Sequence, residues 1–403
     1  MRRRRNSHLG FIDARLALEL LFICSAFSWS TSIGIAQASD TICAGTGISF
    51  PDVSSGWSWA QASAGMNISE IQRGLVEIHD CSLAIFATRC GAAFFTQGNV
   101  TDPTPVYSIG KTVVTTWVGV LLAEGSLGLD TLLPLSNNPP RAGQFFDVNQ
   151  EWGFSLGRVG GPLRSLRHFL SMTSAFGLHN NGDQVVTAAA YSNNAIEFLF
   201  RHVQRLLPLL PEVQLEGNSL LADLQRVEDL FRLHLNGHED SLELRGQISG
   251  YGGGLKMSAR DATRLGLLYL SENGVFDGRR VLSEEFCSNA TVPQVPSRAV
   301  VSSDFWNDAR WNIPDLGAAL PFDAAGHNEN PRMRGSVGYG FGLWILPNGA
   351  FYLSGKMGNY VIVDRDSGLV ISIVNNKEDH PNAIDYLEVF RRAIIKTTAT
   401  KTN

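Results

Sequence analysis

A serine and a lysine three positions apart form the first pair of residues whose types could do chemistry. Ser108 and Lys111 occur in the stretch Ser-Ile-Gly-Lys, at the start of an apolar run. On a helix, positions i and i+3 share a face, so the lysine amine can reach the serine hydroxyl. An unprotonated amine can take the hydroxyl proton and activate a nucleophile that is weak by itself. The pair predicts acyl transfer, but a single S-x-x-K match is weak evidence.

Two further groups of residues complete an acyl-transfer set. Tyr191 and Asn193 occur in Tyr-Ser-Asn, at the start of a second helical pattern. Lys356 and Gly358 occur in Lys-Met-Gly, just before a predicted strand. The lysine would hold a substrate carboxylate or depress the basicity of the other groups. The glycine would let a substrate lie along the strand edge.

These motifs, in this order, resemble those of the serine β-lactamase and penicillin-binding-protein superfamily. The resemblance is closest to its class C β-lactamase-related branch, which includes family VIII carboxylesterases, D-amino-acid-specific peptidases and 6-aminohexanoate-dimer hydrolases. It covers roughly residues 57 to 395. The stretches that carry it are Val106–Lys111, Leu163–Ser174, Tyr191–Asn193, Gly252–Gly266 and Gly338–Gly342.

The resemblance implies a role for each matching residue. Ser108 would be the acylated nucleophile, and Lys111 and Tyr191 would share the general-base and general-acid work. Asn193 would position Lys111 and the substrate amide. Lys356 would belong to the third motif, which is Lys356–Gly358.

The resemblance also implies an oxyanion hole. The third motif shows the main departure from the family pattern. The backbone N–H groups of Ser108 and Asn359 would stabilise the tetrahedral intermediate. Met357 precedes Gly358 where antibiotic-hydrolysing members carry threonine, so a hydroxyl usually aimed at a substrate carboxylate is missing. Asn359 stands where esterase-like relatives usually carry glutamine. Esters and small amides therefore rank above β-lactams as substrates.

The predicted fold class is α+β and β-lactamase/DD-peptidase-like, with an antiparallel five-stranded sheet flanked by helices plus an inserted helical domain. Short turns between the C-terminal strands indicate antiparallel pairing. Helical spacing predicts helices over Ser108–Glu124, Leu163–Met172, Asn194–Leu207, Leu220–Leu233, Ser258–Leu270 and about Asn382–Lys396. Strands are predicted at Ser82–Thr88, Ala92–Thr96, Tyr339–Leu346, Ala350–Ser354, Tyr360–Asp364 and Leu369–Val374. The domains are predicted at 1–38 (signal peptide), 39–118 (sheet domain, first part), 119–285 (helical domain) and 286–403 (sheet domain, second part).

The N-terminus predicts export. Arg2–Arg5 precede an apolar stretch, Leu16–Ala36, that ends in the small-x-small pattern Ala36-Gln37-Ala38. Such a segment is typical of a cleaved secretory signal peptide, and the alternative is an uncleaved membrane anchor. The expected location is secreted or periplasmic, and membrane contact is expected only through an uncleaved signal segment.

Cysteine usage after the signal segment leaves the pairing open. Cys43, Cys81, Cys90 and Cys287 permit two disulfides in an oxidising compartment, with three possible pairings. A strand between Cys81 and Cys90 would hold them apart, which disfavours that pair.

Composition and two further motifs argue against three other classes of function. The formal charge of −5 argues against a nucleic-acid partner. Gly153–Gly157 matches the nucleophile elbow of α/β-hydrolases, but its flanks lack the required strand and helix, which disfavours Ser155 as nucleophile. His234 and His238 lack a third ligand for zinc. We expect no metal or cofactor.

The predicted function is therefore a hydrolase for a small-molecule ester or amide. The alternatives are a slowly acylating peptidoglycan- or penicillin-binding module, a weak β-lactamase, or a D-aminopeptidase.

Overall fold

The fold is described from a computed structural model of the chain. The description concerns the compact unit Ser39–Asn403. It covers residues 43, 57, 65–134, 163–173, 189–191, 193–206, 227–235, 242–245, 248, 254–276, 278–296, 300–302, 335–377 and 380–395. The predicted signal segment, Ser155 and His238 lie outside these residues, and the predicted domain boundaries stay predictions.

Strands and short helices alternate along the chain. The strands are β1 Ala84–Arg89, β2 Ala92–Gly98, β3 Thr104–Tyr107, β4 Leu132–Pro134, β5 Leu163–Ser165, β6 Ala189–Tyr191, β7 Glu243–Arg245, β8 Gly254–Met257, β9 Val275–Phe276, β10 Arg279–Arg280, β11 Val295–Pro296, β12 Val300–Ser302, β13 Gly338–Tyr339, β14 Trp344–Ile345, β15 Phe351–Gly355, β16 Asn359–Asp364 and β17 Leu369–Val374. The helices are α1 Ile68–Glu77, α2 Ile109–Ala123, α3 Leu166–Leu170, α4 Asn193–Leu206, α5 Ala259–Leu270, α6 Glu284–Ala290 and α7 Ala383–Arg392. A π-helical turn spans Leu230–His234, and a 3₁₀ turn spans Lys356–Gly358.

The main sheet is antiparallel and has the order β11-β13-β14-β15-β16-β17-β1-β2. Every residue of β16 and β17 is buried, since helices cover both faces. Gly266 of α5 packs closely on Val361 and Val370. A Cβ on Gly266 would lie 2.5 Å from a methyl carbon of Val370. Tyr360 points to the other face, where its ring lies 6.4 Å from that of Tyr386 in α7.

The predicted α+β class is confirmed, but the predicted strand number is wrong. Among the described residues the sheet has eight strands rather than five. The stretch expected to be one strand over Tyr339–Leu346 is divided into β13 and β14. Gly340 and Gly342 lie between them, and a Cβ on Gly340 would come within 2.0 Å of the Ala290 carbonyl oxygen. Backbone packing therefore breaks the strand at a point where the apolar pattern is continuous.

Two helix predictions also differ from the structure. The stretch Leu163–Met172 is a strand, β5, followed by the five-residue helix α3, because Leu163–Ser165 pairs with β4. The last helix ends at Arg392 rather than Lys396. Of the predicted helix Leu220–Leu233, the described part begins at residue 227 and passes into the π-helical turn.

One disulfide joins Cys43 to Cys90. Cys90 and Gly91 form the two-residue turn between β1 and β2, and both have positive φ (48° and 83°), which is typical of a hairpin turn. Cys81 and Cys287 are not in disulfides. Burial raises the pKa of the Cys287 thiol to about 12. The disulfide ties Cys43 to the turn between β1 and β2, at the edge of the main sheet.

We expect reduction of the Cys43–Cys90 bond to lower the free energy of unfolding by about 2 to 4 kcal/mol, because it closes a long loop. The two cysteines are 47 positions apart. Urea unfolding with and without a phosphine reductant measures the change, and Cys43→Ser is the control in which the reductant should have no effect. An equal effect of the reductant on that variant would contradict the assignment.

No helix among the described residues is both long enough and apolar enough to cross a bilayer.

Candidate active site

Ser108 lies at a sharp junction between β3 and α2. Tyr107, just before it, has a φ of +49°, which non-glycine residues adopt rarely and mostly at functional or strained positions. Ser108 is the N-cap of α2, but its φ and ψ of −68° and −6° are helical and its side chain makes no capping bond. An ordinary serine cap has an extended backbone and an engaged hydroxyl. The hydroxyl of Ser108 is therefore available for another role.

Lys111 supplies the partner of that hydroxyl. The Lys111 Nζ donates to Ser108 Oγ at 2.9 Å, and the same contact would let an unprotonated amine accept the hydroxyl proton. The lysine is 1% exposed and the serine 9%. Burial disfavours the charged form of an amine, so the setting favours a lysine that acts as a base.

The first turn of α2 is packed against the backbone of a neighbouring segment. Gly110 has so little room that a Cβ would lie 1.7 Å from the carbonyl oxygen of Ile248. Further along the helix, Thr112 Oγ1 donates to the Gly342 carbonyl at 2.7 Å, and Thr115 Oγ1 donates to the Phe341 carbonyl at 3.3 Å. These contacts fix the orientation of the helix that carries the serine and the lysine.

We expect Gly110→Ala to destabilise the protein by roughly 2 kcal/mol, because the added Cβ overpacks the site against a backbone oxygen. This sign is the opposite of the usual one, since Gly to Ala within a helix normally stabilises by about 0.5 to 1 kcal/mol. Thermal unfolding measures the effect. Gly128→Ala is the control, because a Cβ there would meet only Thr131 Oγ1, at 3.8 Å. A Gly110→Ala variant as stable as the wild type would contradict the packing described.

The third motif forms a tight turn between β15 and β16. Lys356 is exposed, and the next two residues both have left-handed backbones, with φ of +66° at Met357 and +76° at Gly358. Strain of this kind at Met357 persists only where the surroundings hold it. The turn therefore has a fixed shape and presents a solvent-exposed lysine.

The backbone before the turn contacts the segment that leads to Ser108. Gly355 lies so near the carbonyl of Val106 that a Cβ would be 2.1 Å from its oxygen. Val106 precedes Ser108 by two residues, and Lys356 follows Gly355. The structure thus brings the first and third predicted motifs to one place.

Asn359 begins β16, directly after the third-motif turn. Its side chain is completely buried, and Nδ2 donates to the carbonyls of Lys356 at 2.6 Å and Asn375 at 3.1 Å. Its Oδ1 accepts from the Asn375 backbone N–H at 3.0 Å. The side chain ties the third-motif turn to the end of β17 and does not face a substrate. The expectation for its backbone N–H in the oxyanion hole stays a prediction.

The second motif is described only by its backbone. Tyr191 ends β6, which pairs in parallel with β12 opposite Ser302, and Asn193 is the first residue of α4. This helix packs on α2 through the edge-to-face contact of Phe200 with Trp117, whose ring centroids are 5.5 Å apart. The helix that begins at Asn193 therefore lies beside the helix that carries Lys111.

In the part of the chain that the structure describes, no group of three or more His, Cys, Asp or Glu side chains could hold a metal ion. His234 lies at the end of the π-helical turn.

The fold is that of a β-lactamase-like hydrolase. A sequence model of the Beta-lactamase family matches residues 99–393. The chain belongs to this family, whose members are serine hydrolases. A search of curated protein sequences finds no significant relative.

Solved structures share the fold at low sequence identity. A protein described as a 6-aminohexanoate-dimer hydrolase from Bacillus anthracis has 14% identity and a TM-score of 0.51, covering 86% of this chain and 88% of its own. A β-lactamase from Mycobacterium bovis has 15% identity and a TM-score of 0.50, covering 80% and 99%. EstCE1, a hydrolase with promiscuous acyltransferase activity, has 12% identity and a TM-score of 0.50, covering 83% of this chain and 99% of its own.

Two residues contact the third motif although no sequence motif predicts that they do. Asn375 completes the hydrogen bonds of Asn359, and the His380 ring lies against Gly358. Both follow the last strand of the sheet, in a stretch without a motif. Only the pairing of β16 with β17 places them beside the turn.

Proposed function

We propose that this protein is an exported serine hydrolase that acts on esters or small amides through an acyl-enzyme on Ser108. The observation that carries the proposal is the 2.9 Å contact between Ser108 Oγ and the buried Lys111 Nζ, in a chain of the β-lactamase family.

The proposed chemistry has two steps. Ser108 Oγ attacks the substrate carbonyl carbon while its proton passes to Lys111, with Tyr191 as the partner in proton transfer. The backbone N–H groups of Ser108 and Asn359 stabilise the oxyanion of the tetrahedral intermediate. The leaving group takes a proton and departs, which leaves an ester on Ser108. Water then attacks that ester, and the same groups return the proton to the serine.

The third motif supports esters and small amides over β-lactams. Met357 offers no hydroxyl to a substrate carboxylate, and its half-buried side chain makes the surroundings of the turn more apolar. Lys356 remains an exposed cation at the same turn. One structure that shares the fold is described as a 6-aminohexanoate-dimer hydrolase, which supports small amides as a substrate class.

Export to an oxidising compartment is part of the proposal. The basic and apolar N-terminal segment predicts a secretory signal. The Cys43–Cys90 disulfide supports this location, because such bonds persist outside reducing compartments.

The second candidate is a binding module that acylates once and turns over slowly, and the altered Lys-Met-Gly motif favours it. Rapid mixing with para-nitrophenyl esters of increasing acyl length separates the two functions. A hydrolase releases nitrophenol continuously over many turnovers. A binding module gives one stoichiometric burst and then stops, and this result would replace the first candidate with the second.

A further inference from the structure

The third-motif turn needs support from outside itself. Met357 and Gly358 occupy left-handed conformations in succession, and β15 and β16 hold only the two ends of the turn. A strained backbone keeps one shape only when neighbouring groups over-determine it. The residues that press on the turn therefore decide where its exposed lysine and backbone N–H groups lie.

His380 presses directly on this turn. A Cβ placed on Gly358 would lie 2.4 Å from His380 Cγ and 2.8 Å from both Cδ2 and Nδ1. The imidazole is thus in contact with the backbone of Gly358, with no space for a side chain between them. Among the described residues, this ring supplies all three of the nearest atoms to that position.

The ring of His380 is itself held in place. Its Nδ1 lies 3.0 Å from the Pro381 carbonyl oxygen, which can only accept, so Nδ1 carries the proton of this contact. The Tyr360 ring stands edge-on to it, with centroids 5.7 Å apart. Behind Tyr360, Tyr386 donates to Asp80 Oδ1 at 2.7 Å, and burial raises the pKa of that tyrosine. The ring thus rests on a network anchored in α7 and the main sheet.

We propose that His380 is a positioning residue that holds the Lys356–Gly358 turn in its working shape. The Asn359 side chain holds the turn through its hydrogen bond to the Lys356 carbonyl. The imidazole of His380 holds it through its contact with Gly358. Loss of the ring leaves Gly358 free to move, which displaces Lys356 and the backbone N–H of Asn359. This inference rests on the proposed function, in which the turn stabilises the transition state.

The test compares His380→Ala, His380→Phe and the wild type in the hydrolysis of a para-nitrophenyl ester. Small displacements of catalytic groups slow the chemical step, so we expect His380→Ala to lower kcat by about 10- to 100-fold. We expect KM to change by less than about threefold, because a para-nitrophenyl ester carries no carboxylate for the displaced Lys356 to bind. His380→Phe should recover most of kcat, since it restores a flat ring against Gly358. His79→Asn is the control, because His79 is exposed and lies at the end of α1.

The outcomes separate this inference from the proposed function. An active wild type with a His380→Ala variant of equal kcat overturns the inference and leaves the function in place. A His380→Phe variant as slow as His380→Ala overturns it too, because a role in proton transfer rather than packing would then be indicated. A wild type without turnover or labelling of Ser108 overturns both. Should His380→Ala fail to fold, His380→Gln replaces it, with the same loss of kcat expected and an unchanged kcat contradicting the inference.

Discussion

Ser108→Ala is expected to lower kcat for every ester and amide substrate by about 10⁴-fold or more, because the acyl-enzyme can no longer form. The substitution removes the buried oxygen that accepts the hydrogen bond from Lys111 Nζ and leaves the backbone of the helix start unchanged. We therefore expect the variant to fold, with a loss of stability of about 1 to 3 kcal/mol. The combination of an intact fold with lost turnover is the signature of a nucleophile. Steady-state kinetics and thermal unfolding of the same preparation measure both parts.

Ser155→Ala is the matched control for the nucleophile. Ser155 is the serine of the Gly153–Gly157 elbow motif, which an α/β-hydrolase would use. We expect this variant to keep the turnover of the wild type. Loss of turnover in Ser155→Ala with retention in Ser108→Ala would contradict the account.

Lys111→Met is expected to lower kcat by about 10²- to 10⁴-fold, because it removes the base that lies against the nucleophile. Methionine has a similar length and no charge to desolvate, so a buried position accepts it readily. We expect the variant to unfold at or above the temperature of the wild type. The rate of nitrophenol release and the unfolding midpoint test the two parts of this prediction.

Lys256→Met controls for the loss of a positive charge near the site. Lys256 lies opposite Pro105 in the pairing of β3 with β8, and its Nζ bonds to Glu243 Oε2 at 2.5 Å. This contact holds the pKa of Glu243 below its usual range. We expect Lys256→Met to retain kcat within about threefold, as surface ion pairs contribute little. An equal loss in both lysine variants would indicate a general electrostatic effect rather than a base.

The pH dependence of the wild type tests the same base. Lysine and tyrosine have reference pKa values of about 10.4 and 10. An activated base gives a rate that is already substantial near neutral pH. A rate that rises only near pH 10 would contradict activation of Ser108 by Lys111.

The serine–lysine pair could be predicted from sequence because it depends on local geometry. Helical spacing alone brings i and i+3 together, and the observed bond of 2.9 Å has the predicted partners. The apolar helix after Ser108 and the C-terminal meander could also be predicted from their periodicity. These features depend on residues that are neighbours in the chain.

The parts that could not be predicted depend on contacts between distant segments. Gly340 lies against the Ala290 carbonyl and Gly342 against the Thr115 side chain, and these contacts divide the strand predicted at Tyr339–Leu346. A pattern of apolar residues does not report such contacts. The same holds for Asn359, where a polar residue expected at the site is engaged internally by Asn375. The contact of His380 with Gly358 joins residues 22 positions apart, and no motif in the sequence reports it.

The most direct test of the central claim is peptide-mapping mass spectrometry of the protein after treatment with a fluorophosphonate probe. Such probes phosphonylate activated serines, and Lys111 beside Ser108 should provide that activation. We predict one adduct per chain, on the peptide that contains Ser108, and none in the Lys111→Met variant under the same conditions. An adduct on Ser155, or no adduct at all on a folded and active protein, would contradict the account.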